Sequence, residues 1–310
     1  MKNYQVKVLG TTGYTGKRNG QYGDCFILYN EAKKKIVVYD CGSEQHAEKV
    51  IELMNSKGIT KTDIILSHND LDHFEGIPKL IEEKKVGKIF TTLLLKYVDD
   101  ILEKLDDDRR TREATKKRIL ELYDNIATLS GCDLKDIYED SDELPDGLSC
   151  IGPDFDTMIT AVSKAVKKDD TSVTIDNETV VNSTSLQISV PVQGGKKLLL
   201  LGDTSVSNVT CSLKEYRYVH LPHHGKLASA EAIFDKIDTE DDGNSGIHTY
   251  IVSDNTGTTN GGSDDLMKST LLIKGKNIRN TKTAGTIPLG VTVHVNVDSA
   301  REQYGLCFGS

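Results

Sequence analysis

Ser67-His68-Asn69-Asp70-Leu71-Asp72-His73, followed by Phe74-Glu75-Gly76, sets two imidazoles and two carboxylates within six residues. The run just before it, Asp63-Ile64-Ile65-Leu66, is short and apolar and reads as a buried strand. Just after it, Gly76 and Pro78 open a helix whose apolar positions are Ile77, Leu80 and Ile81. The strand fixes the backbone, and the turn lets alternate side chains converge on one point. Histidine and aspartate together suit divalent ions such as zinc or manganese. A solvated surface turn, the alternative, rarely carries His-x-Asp-x-Asp-His on a buried strand.

Upstream, residues 4–9 alternate as a first strand. Gly10-Thr11-Thr12-Gly13-Tyr14-Thr15-Gly16-Lys17 invites a phosphate-loop reading, but its glycine spacing is one residue too long and Arg18 stands where Ser or Thr is required. It reads instead as a glycine loop. Gly20-Gln21-Tyr22-Gly23-Asp24-Cys25 leads into the strand Phe26-Ile27-Leu28, and Ile36-Val37-Val38-Tyr39 runs into Asp40-Cys41-Gly42. Ala47, Val50, Ile51 and Met54 fall at helical spacing, which predicts an amphipathic helix over 44–57 capped by Gly58.

Downstream, Lys88–Leu95 reads as a strand. Residues 99–148 are dense in charge, with Ile119, Leu122, Tyr123, Ile126 and Leu129 marking a long helix, and read as a helical insertion. Its front carries Arg109, Arg110, Arg112, Lys116, Lys117 and Arg118, either a solvated helix face or a contact for substrate phosphate. Residues 156–168 read as a helix and 169–177 as a polar loop. Leu186, Ile188, Val190 and Val192 alternate as a strand that Gly194-Gly195 turns into Lys197–Leu201, a hairpin ending in Gly202-Asp203. Tyr218-Val219-His220-Leu221-Pro222 runs into His223-His224-Gly225, with Lys226 and Ser229 nearby. Tyr250–Ser253 is a further strand, and Val291, Val293, Val295 and Val297 alternate in an edge strand with one wet face.

The stretch 68–73 resembles the signature of the metallo-β-lactamase superfamily, usually His-x-His-x-Asp-His, with Asp70 at the place of the second histidine. That variant resembles the soluble hydrolase domain of the ComEC-type competence proteins and their free-standing relatives. Gly20–Asp24, Asp40-x-Gly42, the Leu-x-Gly-Asp ending at Asp203 and Pro222-His223-His224-Gly225 with Ser229 match further motifs of that branch, in order. Asp40-Cys41-Gly42 on its own reads equally as a plain β-turn. The resemblance implies an α/β (α+β) fold: one domain over 1–310, an αββα sandwich with 99–148 inserted. It also implies two divalent ions. His68 and Asp70 would hold the first, Asp72 and His73 the second, and Asp203 would bridge. His223 or His224 would complete the second site, and the sequence does not choose between them.

The family's further histidine has no counterpart, because no histidine lies between His73 and His220. Asn182-Ser183-Thr184-Ser185 stands there instead, so Asn182 is a weak ligand or a substrate contact. Exchanging imidazoles for a carboxylate and an amide makes the first site harder and moves preference from zinc toward manganese or magnesium. Two divalent ions against Asp70, Asp72 and Asp203 leave the site net positive within a chain of net charge −9. Such a site attracts a phosphodiester and stabilises charge in its transition state. Asp72 would orient the attacking water. Lys226, Ser229 or the spare histidine of the pair would meet the substrate or help the leaving group.

The expected activity is therefore a metal-dependent phosphodiesterase or nuclease, acting on nucleic acid or a small nucleotide. Hydrolysis of another ester or amide, such as a lactone or thioester, in the same site is one rival. A non-catalytic module binding a protein partner through 99–148 is another. The start, Met1-Lys2-Asn3-Tyr4-Gln5, has no apolar signal region and no run approaches a membrane span, so the expectation is a cytoplasmic protein without a membrane partner. The six scattered cysteines are then expected as reduced thiols. His46, His220, His248 and His294 fall outside the motifs and read as structural or surface residues.

Overall fold

The computed structural model describes residues 3–10, 23–105, 110–167, 174–175, 178–240, 247–254 and 262–290. The glycine loop 11–17, Gly20–Tyr22, Arg109, the strand read at 291–297 and His294 lie outside them, as does most of the 169–177 loop.

Fifteen strands are described: β1 (Gln5–Val8), β2 (Phe26–Asn30), β3 (Lys35–Tyr39), β4 (Thr62–Ile65), β5 (Val86–Thr91), β6 (Asp133–Asp136), β7 (Ser149–Gly152), β8 (Thr174–Ile175), β9 (Glu178–Thr179), β10 (Gln187–Val192), β11 (Lys196–Leu200), β12 (Tyr218–His220), β13 (Thr249–Val252), β14 (Asn277–Asn280) and β15 (Ile287–Leu289). One sheet has the order β15-β1-β2-β3-β4-β5-β6, a second β14-β13-β12-β11-β10-β7, and β8 and β9 pair by themselves.

Alternation along the strands decides the layering. Val6, Val8, Phe26, Leu28, Val37, Tyr39, Ile65 and Phe90 of the first sheet are buried against Ile188, Val190, Val192, Leu198, Leu200 and Ile251 of the second. The opposite face of the first sheet, through Ile27, Ile36, Val38, Ile64 and Ile89, buries Ala47, Val50 and Met54 of the helix Glu44–Lys57, together with the helices Ile77–Glu82, Val98–Leu105 and Phe155–Lys167. The outer face of the second sheet takes Ala230, Ile233, Phe234 and Ile237 of the helix Leu227–Glu240. The fold is thus a mixed α/β sandwich of two sheets between two helical layers.

Local chemistry agrees with these elements. Ser43 accepts the His46 N–H at the start of Glu44–Lys57, and Gly58 ends it in the left-handed conformation. Gly194 and Gly195 both take positive φ in the β10–β11 turn, the arrangement that matches the twist of paired strands. The five described cysteines are free thiols. Among the described residues no helix is long and apolar enough to cross a membrane.

The stretch 99–148 differs from its sequence reading. Helices occupy Val98–Leu105, Arg112–Leu122 and Asp124–Ala127, but Asp133–Asp136 is a strand that pairs in parallel with β5 and extends the first sheet. The segment is therefore part helical cover and part sheet. Its strand hides in the sequence because Asp-Leu-Lys-Asp sits at a sheet edge and only Asp136 of the four is buried. Lys88–Leu95 likewise shortens to Val86–Thr91, and Leu94–Tyr97 forms a 3₁₀ turn.

Candidate metal centre

The sequence positions its polar clusters where strands end. In each sheet the parallel strands stop at one edge of the sandwich: β3 before Asp40, β4 before His68, β11 before Asp203, β12 before His223 and His224. Ligands in sheets of this kind gather at the carboxyl ends of strands. Asp24, at the start of the antiparallel β2, reaches the same edge.

Asp203 sits at the centre, buried, with its two oxygens facing opposite ways. Oδ1 lies 3.3 Å from His73 Nε2 and 3.9 Å from His224 Nε2. Oδ2 lies 4.0 Å from His68 Nε2 and 3.8 Å from His223 Nε2, and accepts a hydrogen bond from Asn182 Nδ2 at 3.4 Å. Asp72 Oδ2 is 3.1 Å from His224 Nε2, and Asp70 Oδ2 is 3.8 Å from His68 Nε2 at the exposed mouth.

Every one of these imidazoles is held from behind. His73 Nδ1 is 2.8 Å from Asp40 Oδ2, while Asp40 Oδ1 accepts the Ser67 N–H and Oδ2 accepts the Ser67 hydroxyl, both at 2.7 Å. His68 Nδ1 meets the hydroxyls of Ser67 at 2.9 Å and Ser185 at 3.2 Å. His224 Nδ1 lies 3.1 Å from both Asp24 Oδ1 and the Ser253 carbonyl. His223 Nδ1 lies 2.7 Å from Glu178 Oε2. The Nε2 atoms all turn inward. His68 Nε2, His73 Nε2 and Asp203 Oδ1 are buried with no hydrogen-bond partner. Orphaned buried polar atoms are costly unless something completes them, and an imidazole anchored at Nδ1 with a bare Nε2 is the usual form of a metal ligand. The residues present therefore fit a divalent ion beside Asp203.

The charges answer to the same geometry. Burial raises the Asp203 carboxyl, but His73, His224 and His223 overcome it and hold the group well below the ordinary range. His73 and His224 are each pulled down by burial and lifted well above an ordinary histidine by Asp203 and their other carboxylates. His68 is pushed to about 3 by burial and by His73. Asp70 rises to about 6 through burial and its neighbours Asp72 and Asp203. The pattern is that of carboxylates and imidazoles pairing through shared protons, which a dication bound among them would displace.

Of the residues singled out from sequence, His68, Asp70, Asp72, His73, Asp203, His223, His224 and Asn182 are brought together. The histidine pair divides between the two sides, His224 toward Asp72 and His73, His223 toward His68. Lys226 is paired with Glu178 at 2.7 Å at the rim. Ser229 is buried in the helix Leu227–Glu240. Asp24 and Glu178 went unremarked as site residues. Asp24 forms, with His73, Asp203 and His224, a buried group whose ligand atoms lie within 4.8 Å of one another. Its Oδ1 faces the back of the His224 ring, so it supports that ring. The signal for Asp24 was its place directly before an apolar strand; Glu178 had none.

His46 and His220 are fully buried, with His220 Nε2 3.4 Å from Asp24 and its ring against Phe26, and His248 Nδ1 meets the Tyr216 carbonyl. In the basic run, Arg112 pairs with Asp99, Lys116 with Glu113 and Arg118 with Glu121. The helices there are tied to the metal loop: Asn125 Nδ2 donates to the Asn69 carbonyl at 2.7 Å, and Asn69 Nδ2 to the Leu122 carbonyl at 3.3 Å.

Residues 18–152 match the family model of the Metallo-beta-lactamase superfamily. The match covers His68 to His73, and the αββα layers accord with it; Asp203, His223 and His224 lie beyond it and join through the fold. Among solved structures, the chain is similar to a Thermotoga maritima protein provisionally described as a metallo-beta-lactamase, at 12% identity over 65% of this chain and 79% of that one, with a TM-score of 0.34. It is similar also to the B3 metallo-beta-lactamase BLEG-1, at 20% identity over 31% of this chain and 40% of that one, with a TM-score of 0.23. No curated protein matches.

Proposed function

We propose that the chain is a dinuclear metal-dependent phosphodiesterase of the competence-type branch, acting on small nucleotides or short strand ends. The observation that carries this reading is the pair of Asp203 oxygens, each facing a separate set of inward-turned imidazoles. Ions of the zinc, manganese or magnesium class, when bound, activate a water and stabilise charge on a phosphoryl group.

The chain's own residues do the rest. Asp72 and Asp70 stand at the mouth as the most exposed carboxylates of the set, and Asp72 is placed to accept a proton from an attacking water and orient it. His73 and His224 are fixed by Asp40 and Asp24, so their rings do not swing as charge builds. Lys226 Nζ, at the rim beside Glu178, would meet a non-bridging oxygen of the substrate. Arg112, Lys116 and Arg118 are neutralised by their own neighbours, which favours a small diester over a long polyanion.

One observation supports a second reading, hydrolysis of an apolar ester or lactone. A cavity of about 340 Å³ is lined by Leu93, Leu95, Leu120, Tyr123, Ile126 and Leu129. Tyr123 and Ile126 also line a small void beside His68.

The test is a panel of bis-p-nitrophenyl phosphate, cyclic dinucleotides, single-stranded DNA, RNA and lactones, each with zinc or manganese. Turnover of diesters, lost in Asp72→Ala, is the expected result. Turnover of lactones alone moves the function to the second reading. Changing Arg110, Arg112 and Arg118 together to Gln should leave a small diester unaffected. A strong loss confined to oligonucleotides would instead make the helical cover a strand-binding surface.

A further inference from the structure

We propose that Glu178 and His223 complete the metal position on the His68 side of Asp203, supplying the nitrogen donor that the Asn182 segment lacks. This rests on the dinuclear reading and is independent of the substrate.

The backbone gives the first reason. His223 and His224 both take left-handed φ, 52° and 56°. Such a conformation is unfavourable for a non-glycine residue, and persists where surrounding structure enforces it. Its effect is to splay two adjacent rings, 6.0 Å apart and 73° out of plane, toward opposite oxygens of Asp203. A chain needing one histidine here would not need two consecutive strained residues. Gly202 takes part in the arrangement, since its carbonyl accepts the His223 N–H at 3.1 Å.

The second reason is Glu178. Its side chain is 4% exposed, an unfavourable place for a carboxylate without partners. It has two: His223 Nδ1 and Lys226 Nζ, both at 2.7 Å. The carboxylate's charge lies beside Nδ1, on the side of the ring away from Asp203, and Nε2 lies 3.8 Å from Asp203 Oδ2. Lys226 supplies an opposite charge beside that carboxylate.

The third is the rest of that segment. Asn182 donates to Asp203 Oδ2, and the Ser185 hydroxyl meets His68 Nδ1 and accepts the Asp203 N–H. A stretch without a histidine is thus built around the first position from outside, with His223 brought in from the end of β12 in the same sheet as β10. Each side of Asp203 then offers two imidazoles and two carboxylates: His68, His223, Asp70 and Asp203 on one, His73, His224, Asp72 and Asp203 on the other. That donor set suits zinc at both positions, where the sequence alone implied a harder first site.

The experiment is zinc stoichiometry and affinity of the full chain, stripped of metal and titrated against a chromophoric chelator, with elemental analysis. The wild type is expected to take two equivalents. His223→Ala is expected to take one, and Asp72→Ala, the control, to lose the other. Glu178→Gln keeps the volume and removes the charge. It is expected to weaken one of two equivalents by about 10–100-fold and leave the second at wild-type affinity. Circular dichroism of the metal-free proteins checks folding, and Glu178→Gln decides the matter if His223→Ala does not fold. Two equivalents at wild-type affinity in both variants would overturn the proposal. One equivalent in the wild type, lost in Asp72→Ala and kept in His223→Ala, would overturn the dinuclear reading as well.

Discussion

Ser67–His73 and Glu178–Ser185 flank the same carboxylate. The first stretch aims four side chains at Asp203 and its neighbours. The second aims only the Asn182 amide there, and acts through contacts one bond further out, Glu178 on His223 and Ser185 on His68. Short spacing explains the difference. A turn of six residues after a strand converges by itself, whereas the later segment meets its partners only once two sheets have packed. A site can therefore be dense in donors on one side and assembled from a distance on the other.

Asp203→Asn gives the harshest way to break this comparison. It removes the charge shared by both stretches, so both equivalents of metal should be lost, and turnover of a verified substrate should fall by about 10³ or more, as when a main electrostatic support of a transition state is removed. Retention of two ions by elemental analysis would show that the stretches do not meet at Asp203. Asp40→Asn should be milder. The carboxylate behind His73 holds two Ser67 groups as well, and its loss should weaken one equivalent by about 10–100-fold with the other intact. Equal weakening of both would mean that the two positions act as one unit.

The smallest effect concerns a histidine outside the site. His46 is fully buried, and burial pushes it down to about 4. Its folded pKa lies below the ordinary histidine value of 6.5, so the unfolded chain binds the proton more tightly and stability falls as pH drops from 6.5 toward 4. Between pH 7 and 5.5 this group should remove about 1 kcal/mol. His46→Met should flatten that share of the pH dependence in urea unfolding of the metal-free protein. An unchanged slope would assign the dependence to the site histidines.

The contrast also shows what could be read from residues alone. The run 68–73, Gly202-Asp203 and the 223–224 pair were legible because each is a short polar motif at the end of an apolar strand. The αββα layers were what the family resemblance implied, and strand alternation and helix Glu44–Lys57, whose bounds match its periodicity, accord with them. Glu178 and Ser185 were not legible as site residues, because single polar residues gain a role only from partners far off in the chain, and Asp24 was legible only as the end of the Gly20–Asp24 motif. The allotment of His223 and His224 depended on two left-handed backbones that histidine does not advertise. Strand β6 was missed because an edge strand needs little apolar alternation.

One feature of the pocket bears on how quickly ions come and go. The side chains of His73, His68, His224 and Asp203 are at most 3% exposed, and Asp72 is 25% exposed. On the His68 side, His223 is 12% and Asp70 44% exposed. Access is therefore lopsided around a symmetric donor set. An ion beside Asp70 can trade ligands for water one at a time, while one behind Asp72 must wait for buried rings to part. If both positions fill, the outer ion would exchange faster than the inner one.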